Sequence, residues 1–425
     1  MARISLPNQF CQRPIMSHQP NRISFDNTEY AFAYKSDQEL KKAHFLFRAM
    51  GNPFMLKLGL AITPWAIRFH FPFTRSAIRQ TLFSQFVGGE TLSETAVVAD
   101  KLEKYQVQVI LDYGVEGGQG EGAFDHATDE FIRVIDYAAT QHNIPFMSIK
   151  VTGVARFGLL EKMDSLMQQR EGTLMKRYHA VVELLPAAEQ EEWKKVVSRL
   201  QRICEDASNK NIGVLVDAEE SWIQDPVDAL TILMMDTFNR SKAVVFNTIQ
   251  LYRHDRLAFL KDSHEAASQR NFILGSKLVR GAYMEKERKR AADLGYPSPI
   301  QPDKTACDND YNEAVAFCIQ HIDRISLIVA SHNEYSNLYT TVLMEEKGIA
   351  HNHPHVHFSQ LFGMSDNITF NLASHGYRVS KYLPFGPIKD VIPYLMRRAQ
   401  ENSSVAGQTG RELGLIEKEL IRRKR

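Results

Sequence analysis

The spacing of apolar residues along the chain changes near residue 100. Before that point, KKAHFLFRAM, MLKLGLAI and RSAIRQTLFSQFVGG place apolar residues three or four positions apart, and no stretch alternates apolar and polar residues. After about residue 105, short apolar runs of strand length alternate with longer amphipathic stretches. The pattern predicts an all-helical segment over residues 1–100, followed by repeated strand–helix units.

Eight apolar runs have the length of buried strands: 107–113, 146–151, 213–218, 243–249, 273–279, 326–331, 355–361 and 378–383. Eight such runs with helical stretches between them are typical of a (β/α)8, or TIM-like, barrel. The long gap between the second and third runs predicts extra helices inserted there. We therefore predict an α/β barrel over residues 101–405. A helical, basic tail should follow over 406–425, and we expect its final IRRKR to be frayed and solvated.

Each of these runs stops on, or just before, a polar residue. In order these residues are Asp112, Lys150, Asp217, Gln250, Arg280, His332, Gln360 and Tyr382. The carboxyl ends of barrel strands meet at one mouth, where the active sites of such barrels lie. Polar groups are costly to bury without partners, so a ring of them predicts a polar active site at that mouth.

The segment YLPFGPIKDVIPYLMRRAQEN predicts a helix with an unusual face. Tyr394, Arg397, Arg398 and Glu401 fall within about a third of its circumference. Two arginines beside an aromatic ring suit a small carboxylate with an apolar body. The alternative is a solvated face carrying an Arg–Glu pair.

Two patterns, one for binding phosphate and one for binding metal, fit the sequence poorly. The glycines of DYGVEGGQGEG do not match GxGxxG, and Glu116 and Glu121 would repel a pyrophosphate, so we interpret this stretch as a mobile loop. The histidines of HNHPHVH alternate, but Pro354 interrupts them and most precede a strand, away from the mouth.

A metal at the mouth is a second possibility. Asp217, Glu219 and His332 could bind a metal, as in a metal-dependent barrel hydrolase, but Lys150 and Arg280 would add two cations beside it. That mixture suits an organic anion better, and we predict no metal. A non-catalytic binding protein on a barrel scaffold is the third alternative.

Composition and charge indicate which partners and which cellular compartment suit the protein. The net charge of +1 gives no global field for nucleic acid. The four cysteines form no CxxC pair, which indicates free thiols in a reducing compartment. The N-terminus shows no secretion signal, and the uncharged run LGLAITPWAI is too short to span a bilayer. We expect a cytoplasmic protein whose aromatic RFHFPF could rest peripherally on the inner face of a membrane.

Three segments together resemble proline dehydrogenases: KLVRGAYMEKERKRAADLGYP (277–297), VDAEE (216–220) and YLPFGP…YLMRRAQEN. The resemblance implies an FAD-binding catalytic barrel that oxidises L-proline to Δ1-pyrroline-5-carboxylate, the first step of proline catabolism, and passes electrons to a quinone. It also implies the stand-alone, monofunctional form. A hydroxyproline dehydrogenase is the alternative within the family. Members that prefer hydroxyproline have a smaller polar residue in place of Tyr382, so we expect proline.

The resemblance also implies a substrate pocket. Arg397 and Arg398 would hold the proline carboxylate, and Lys150 would reach it from the second strand. Tyr382, Tyr394 and Leu361 would surround the ring. Further out, Glu116 would gate the pocket by pairing with Arg397, and Glu401 would orient an arginine or the flavin.

The remaining strand ends would hold the flavin, again by resemblance. The cofactor residues implied are Ala218, Gln250, Arg280, Gly281, Ala282, His332, Asn333, Gln360 and, near the phosphates, Lys304. Cys307 stands where relatives often have threonine. Asp217, Arg280 and Tyr283 form the expected catalytic set. Arg280 would stabilise the reduced flavin, and Asp217 would either lie near the substrate amine or Tyr283, or anchor Arg280; we favour a network role.

Overall fold

Eight parallel strands close into a barrel in chain order. The computed structural model describes residues 23–52, 54, 74–114, 118–404 and 408–424. The strands are β1 (Gln108–Tyr113), β2 (Phe146–Ile149), β3 (Gly213–Val216), β4 (Val245–Gln250), β5 (Leu274–Val279), β6 (Ile325–Ala330), β7 (Val356–Leu361) and β8 (Val379–Phe385). β1 pairs with both β2 and β8, which closes the sheet. The predicted (β/α)8 barrel is confirmed, with strand ends displaced by at most two residues.

The barrel interior changes from apolar to polar along the strands. Alternate residues of a strand share a face, so Ile110 and Asp112 both point inward, as do Leu215 and Asp217. Ile110, Leu215 and Phe246 form a buried apolar layer below the mouth. The polar residues one step further along the same strands therefore lie above an apolar floor. This layering places the chemistry at the carboxyl ends of the strands.

Helices cover the barrel on its outer side. The helices that follow each strand are α6 (Glu121–Ala139), α7 (Phe157–Gln168), α8 (Leu174–Leu184), α9 (Ala187–Lys210), α10 (Gln224–Phe238), α11 (Arg256–Arg270), α12 (Met284–Leu294), α13 (Lys304–Gln320), α14 (Glu334–Glu346), α15 (Asp366–Ser374) and α16 (Ile388–Ser404). The helices α7 to α9 lie between β2 and β3 and confirm the predicted insertion. Trp193 is buried there and donates from Nε1 to the Tyr178 hydroxyl at 2.9 Å.

The described part of the N-terminal segment is helical, as predicted. Its helices are α1 (Thr28–Phe32), α2 (Asp37–Met50), α3 (Thr74–Ile78), a π-helical turn (Arg79–Phe83), α4 (Ser84–Phe86) and α5 (Leu92–Glu103). Ser36 and Glu39 form a capping box at the start of α2. The runs MLKLGLAI, LGLAITPWAI and RFHFPF lie outside the described residues.

The C-terminal helix α17 (Gln408–Arg422) packs against the N-terminal helices, and the expectation of a frayed tail is wrong. Phe47, Leu395 and Ile416, from α2, α16 and α17, belong to one buried apolar cluster. Arg423 donates to the backbone carbonyls of Phe32 and Lys35 and to Glu419, which is fully buried. Partners distant in sequence thus hold the basic end, which a local pattern cannot show.

Two further findings concern membrane-spanning helices and the state of the cysteines. No helix within the described ranges is both long and apolar enough to cross a membrane. Cys204, Cys307 and Cys318 are free and buried.

Gly363 offers a test of how tightly the N-terminal segment is fitted to the barrel. Its φ is +78°, and an added Cβ would lie 1.9 Å from the Gln85 carbonyl oxygen. Gly363→Ala should therefore lower the free energy of unfolding by roughly 2 to 5 kcal/mol, through both backbone strain and overpacking. Urea unfolding measures this loss.

Gly348→Ala is the matched control, because Gly348 has φ +64° and open space around the added Cβ. It should cost only the backbone term, about 1 to 2 kcal/mol. Equal losses in the two variants would contradict the steric fit between Gly363 and Gln85.

Candidate active site

The mouth of the barrel opens into one large cavity. Its volume is about 2370 Å³. Every predicted site residue whose side chain the structure describes lines it: Lys150, Asp217, Ala218, Gln250, Arg280, Gly281, Ala282, Tyr283, Lys304, His332, Asn333, Gln360, Leu361, Tyr382, Tyr394, Arg397 and Arg398. Glu116 and the side chain of Glu401 lie outside the described residues. Asp112, at the end of β1, lines it as well, so the fold gathers residues from all eight strand ends into one space.

A buried ion pair lies at the base of the cavity. Lys277, on β5, donates from Nζ to Asp217 Oδ1, and only 5% of Lys277 is exposed. The Tyr382 hydroxyl donates to Asp217 Oδ2 at 2.7 Å, and Ser148 Oγ donates to the same oxygen at 2.8 Å. Although burial raises the pKa of Asp217, Lys277 and Lys150 bring it below its usual value. Asp217 is therefore an ionised hub whose oxygens are already engaged.

Lys150 stands above this pair, next to a second carboxyl group. Its Nζ lies 3.9 Å from Asp112 Oδ1. Burial lowers the pKa of Lys150, but Asp112 and Asp217 more than offset this and raise it above its usual value. Burial raises the pKa of Asp112, against the opposing effect of Lys150. Lys150 is thus held as a cation at the wall of the cavity.

The helix α16 carries the arginine pair into the same cavity. Only 6% of Arg398 is exposed, and its guanidinium carbon lies 5.0 Å from the centre of the Tyr394 ring. This stacking is the favourable arrangement of a guanidinium over an aromatic face. Tyr394 and Leu361 both pack against the apolar cluster formed by the N-terminal and C-terminal helices. The predicted face of α16 is therefore a cavity wall and not a solvated surface.

Arg280 is fixed by four contacts and does not touch Asp217. It donates from Nε to Asp308 at 2.7 Å, from Nη1 to Ser331 at 2.8 Å and from Nη2 to Ser336 at 2.9 Å. Its guanidinium also stacks 4.3 Å from the centre of the Tyr311 ring. The suggestion that Asp217 anchors Arg280 is wrong, because Asp308 does so. Asp217 instead belongs to the network around Lys277.

The turn that follows β5 is shaped by its glycine. Gly281 has φ +139°, and an added Cβ would lie 2.5 Å from the Tyr252 ring. Both the positive φ and the lack of space beside Tyr252 therefore exclude a side chain at this position. Tyr283 follows, and burial, with Glu219 nearby, raises its pKa to about 12. Its phenol is therefore neutral at ordinary pH.

The residues after β6 and β7 are held by neighbouring loops. His332 Nδ1 lies 2.9 Å from Ser365 Oγ, and burial lowers the pKa of His332 to about 3, so the imidazole is neutral. Asn333 caps α14 by accepting from the Ser336 amide at 3.0 Å. Gln360 donates to the Ser331 carbonyl at 3.2 Å and accepts from Thr369 at 2.8 Å, so it joins β6, β7 and α15.

At the outer rim, Lys304 is the first residue of α13 and pairs with Asp308, the carboxylate that also holds Arg280. Its side chain is two-thirds exposed, so it is available to a ligand at the rim. Cys307, one turn along, is buried.

The most important residue that the sequence reasoning missed is Lys277. A lysine inside the apolar run ILGSKLV was the available signal, since an unpaired cation would not be buried in a strand. Ser148, inside FMSIKV, gave no comparable signal, because serine is common in strands and loops. Asp308 and Ser365 lie in loops or helices whose approach to the mouth only the fold shows.

The metal ligands considered from the sequence are directed elsewhere. Glu219 accepts from the Thr152 hydroxyl at 2.8 and 2.9 Å, while Asp217 binds Lys277 and His332 contacts Ser365. The alternating histidines also diverge, since His357 contacts Ser380 inside the barrel and His355 contacts the Ile322 carbonyl. Within the described ranges no three His, Cys, Asp or Glu side chains are grouped to hold a metal ion.

These features define a class of protein: a (β/α)8 barrel with a large cavity at its mouth, lined by cations and buried polar groups that suit an organic anion. The family profile described as Proline dehydrogenase matches residues 96–411. The chain therefore belongs to the proline dehydrogenase family.

Individual relatives agree with this assignment. The chain is 34% identical over 377 residues to Proline dehydrogenase 1, mitochondrial, of Dictyostelium discoideum, covering 81% of this chain and 65% of that protein. It is 31% identical over 423 residues to Hydroxyproline dehydrogenase of Xenopus laevis, covering 92% of this chain and 88% of that protein.

The same fold occurs in a solved structure, proline utilization A (PutA) from Bdellovibrio bacteriovorus inactivated by N-propargylglycine. The TM-score is 0.64 at 20% identity, over 90% of this chain and 37% of that one. The chain thus spans about two thirds of the Dictyostelium protein and little more than a third of PutA.

Glu219→Gln should become progressively more stable relative to the wild type as pH rises from about 4.5 to 7. Burial raises the pKa of Glu219 from 4.5 to about 7. In that window the folded protein keeps a proton that the unfolded chain releases, so wild-type stability falls with rising pH. The shift corresponds to about 3 kcal/mol.

Urea unfolding of both proteins at several pH values between 4.5 and 8 measures this difference. A difference that stays constant over that range would contradict the assignment of a raised pKa to Glu219.

Proposed function

We propose that the protein oxidises L-proline to Δ1-pyrroline-5-carboxylate with FAD as the electron acceptor. Family membership supports this proposal, and one observation carries it. The buried, aromatic-stacked Arg398 of α16 faces the same cavity as Lys150, which follows β2, and Tyr382 of β8, three residues from different parts of the fold.

The residues at the mouth fit a flavin dinucleotide. A cavity of about 2370 Å³ exceeds the roughly 300 to 1000 Å³ of a typical small-ligand site, so proline alone would leave most of it empty. The buried Gln250 Oε1 has no hydrogen-bond partner among the described residues and lines this space. Lys304 supplies a cation suited to phosphate oxygens, and Arg280 supplies a positive charge that would stabilise the reduced flavin ring. When bound, FAD would accept one hydride from C5 of proline, and with it the two electrons of the oxidation.

Arg397, Arg398 and Lys150 would bind the substrate carboxylate. The planar guanidinium of arginine donates two parallel hydrogen bonds to a carboxylate, which a lysine cannot do. Stacking on Tyr394 limits the rotamers of Arg398, so less entropy is lost when substrate binds. Lys150, held as a cation by Asp112, adds a third positive charge.

Leu361, Tyr382 and Tyr394 would enclose the apolar ring of proline. The Tyr382 hydroxyl is fixed by Asp217 and Ser148, so its ring has one defined position. Orientation of C5 is then set by packing at one end and by the carboxylate at the other.

The proline nitrogen must bind as the free amine, because its lone pair stabilises the iminium that forms. Asp217 is ionised and fully engaged, so it acts through its charge and by positioning Tyr382 rather than as a general base. Its negative field favours the positive charge that develops on the substrate. Tyr283 and Arg280 complete the proposed set, the latter held by Asp308 and the former a neutral phenol.

Several finer points stay predictions from the family resemblance. They are the quinone as onward acceptor, the place of the reaction as the first catabolic step, and a peripheral membrane contact in a cytoplasmic protein. The segment RFHFPF, which bears on the membrane contact, lies outside the described residues, as does Glu116, the predicted gate.

A hydroxyproline dehydrogenase is the second candidate, and the Xenopus relative of that name favours it. Tyr382 argues against it. Its ring occupies the wall of the pocket, and its hydroxyl already contacts Asp217 and Ser148. A substrate hydroxyl would need both space and a partner at that wall.

The visible absorption spectrum tests the function directly. The full chain, purified and supplemented with FAD, should be yellow and should bleach when L-proline is added without oxygen. Trans-4-hydroxy-L-proline should bleach it more slowly. A chain that takes up no FAD would contradict the flavin proposal, and faster bleaching by hydroxyproline would establish the second candidate.

Arg398→Met should raise the KM for proline by about two orders of magnitude or more, because losing the charged hydrogen bonds from a buried arginine to the substrate carboxylate costs about 3 kcal/mol. FAD binding should persist. Lys389→Met removes an exposed cation from the same helix and should leave KM unchanged. Steady-state kinetics give the KM for proline of both variants. A near-normal KM for Arg398→Met would contradict the proposal that Arg398 binds the substrate carboxylate.

A further inference from the structure

Two consecutive residues of the C-terminal helix α17 form hydrogen bonds with the segments that follow β6 and β7, next to the proposed cofactor residues. Arg411 donates to Glu334 at 2.8 and 3.2 Å, and Glu334 directly follows His332 and Asn333 after β6. Glu412 accepts from the backbone amide of Ser365, in the loop after β7. The helix therefore spans the β6 and β7 sides of the mouth, and Arg411 itself lines the cavity.

Ser365 links α17 to the cavity wall. Its φ is +50°, in the left-handed region that costs a residue other than glycine about 1 to 3 kcal/mol. Such a conformation persists only when the surroundings hold it, and here the Glu412 carboxylate holds its amide. In this position Ser365 places its hydroxyl 2.9 Å from His332 Nδ1. A continuous chain of hydrogen bonds thus runs from α17 to His332.

Packing alone does not explain a glutamate at this place. Glu412 is only 5% exposed, and the buried Asp366 lies beside it. Burying a carboxylate next to another is unfavourable unless it makes compensating contacts. Lys381 and Lys35 balance the charge of Asp366, which also accepts from the Tyr34 hydroxyl. The same two lysines also favour the charged form of Glu412, which accepts from the Ser365 amide.

We propose that Glu412 of α17 is a positioning residue for the flavin site, holding Ser365 in its left-handed conformation so that its hydroxyl orients His332. The inference rests on the proposed function, since it takes His332 to lie in the flavin site. On this view the C-terminal helix is part of the cofactor site of this chain and not an appendage to the barrel.

The test is FAD titration of the full-length wild type and four variants, followed by flavin fluorescence and by the absorption of the bound cofactor. Glu412→Leu removes the acceptor at similar volume and should raise the Kd for FAD by about tenfold or more, the effect of losing the hydrogen bond to the Ser365 amide. Glu412→Gln keeps a carbonyl oxygen for the Ser365 amide and should restore the Kd and the spectrum to near wild-type values.

Glu419→Leu is the matched control. Glu419 is a second buried glutamate on α17, but it binds Arg422 and Arg423 at the far end of the helix. That variant should lower thermal stability while leaving the Kd for FAD nearly unchanged. An equal rise in Kd for Glu419→Leu and Glu412→Leu would overturn the proposal, since attachment of the helix would then be the whole effect.

Ser365→Ala supplies a second route if Glu412→Leu does not fold. It removes only the hydroxyl that contacts His332, and it should also raise the Kd for FAD. A Kd within about twofold of wild type for Ser365→Ala, or for a folded Glu412→Leu, would overturn this inference alone. A wild type that takes up no FAD would instead overturn the proposed function, and this inference with it.

Discussion

The buried ion pair between Asp217 and Lys277 is the constraint around which the mouth of the barrel is arranged. Each charge would be too costly to bury alone, and removal of one partner from such a pair typically costs about 3 to 5 kcal/mol. The pair in turn orders Tyr382 and Ser148 through their hydrogen bonds to Asp217. Asp217 also helps Asp112 to keep Lys150 cationic. The apolar layer below offers these groups neither water nor a polar partner, so they must hydrogen-bond and pair with one another.

A second set of contacts lies outside the barrel and acts on the same mouth. The N-terminal helices and α17 share one apolar cluster with α16, which carries Arg398. Gly363 is pressed against Gln85, and Lys381 donates to the Met364 carbonyl at 2.6 Å, so the loop after β7 is held from two sides. The proposed substrate helix and the proposed cofactor loops therefore depend on segments far from them in sequence.

The site shows how much local pattern could reveal. Strand ends were readable because each apolar run stops at a polar residue, and this placed Lys150, Asp217 and Tyr382 correctly at the mouth. The partner of Asp217 was not readable, because Lys277 and Arg280 are both basic residues near the end of one strand. Only the fold decides the partner of each: Lys277 binds Asp217 at the base of the cavity, while Arg280 binds Asp308.

By itself the sequence determined the barrel, the helical insertion, the polar mouth and the face of α16, because periods of 2.0 and 3.6 residues are local properties of the chain. Family motifs added the expected chemistry. Tertiary structure decided which charges pair, where Ser365 takes a left-handed conformation, and that Arg423 is bound by the buried Glu419 carboxylate and by backbone carbonyls. Those outcomes depend on desolvation, and the extent to which a group is removed from water is set by residues hundreds of positions away.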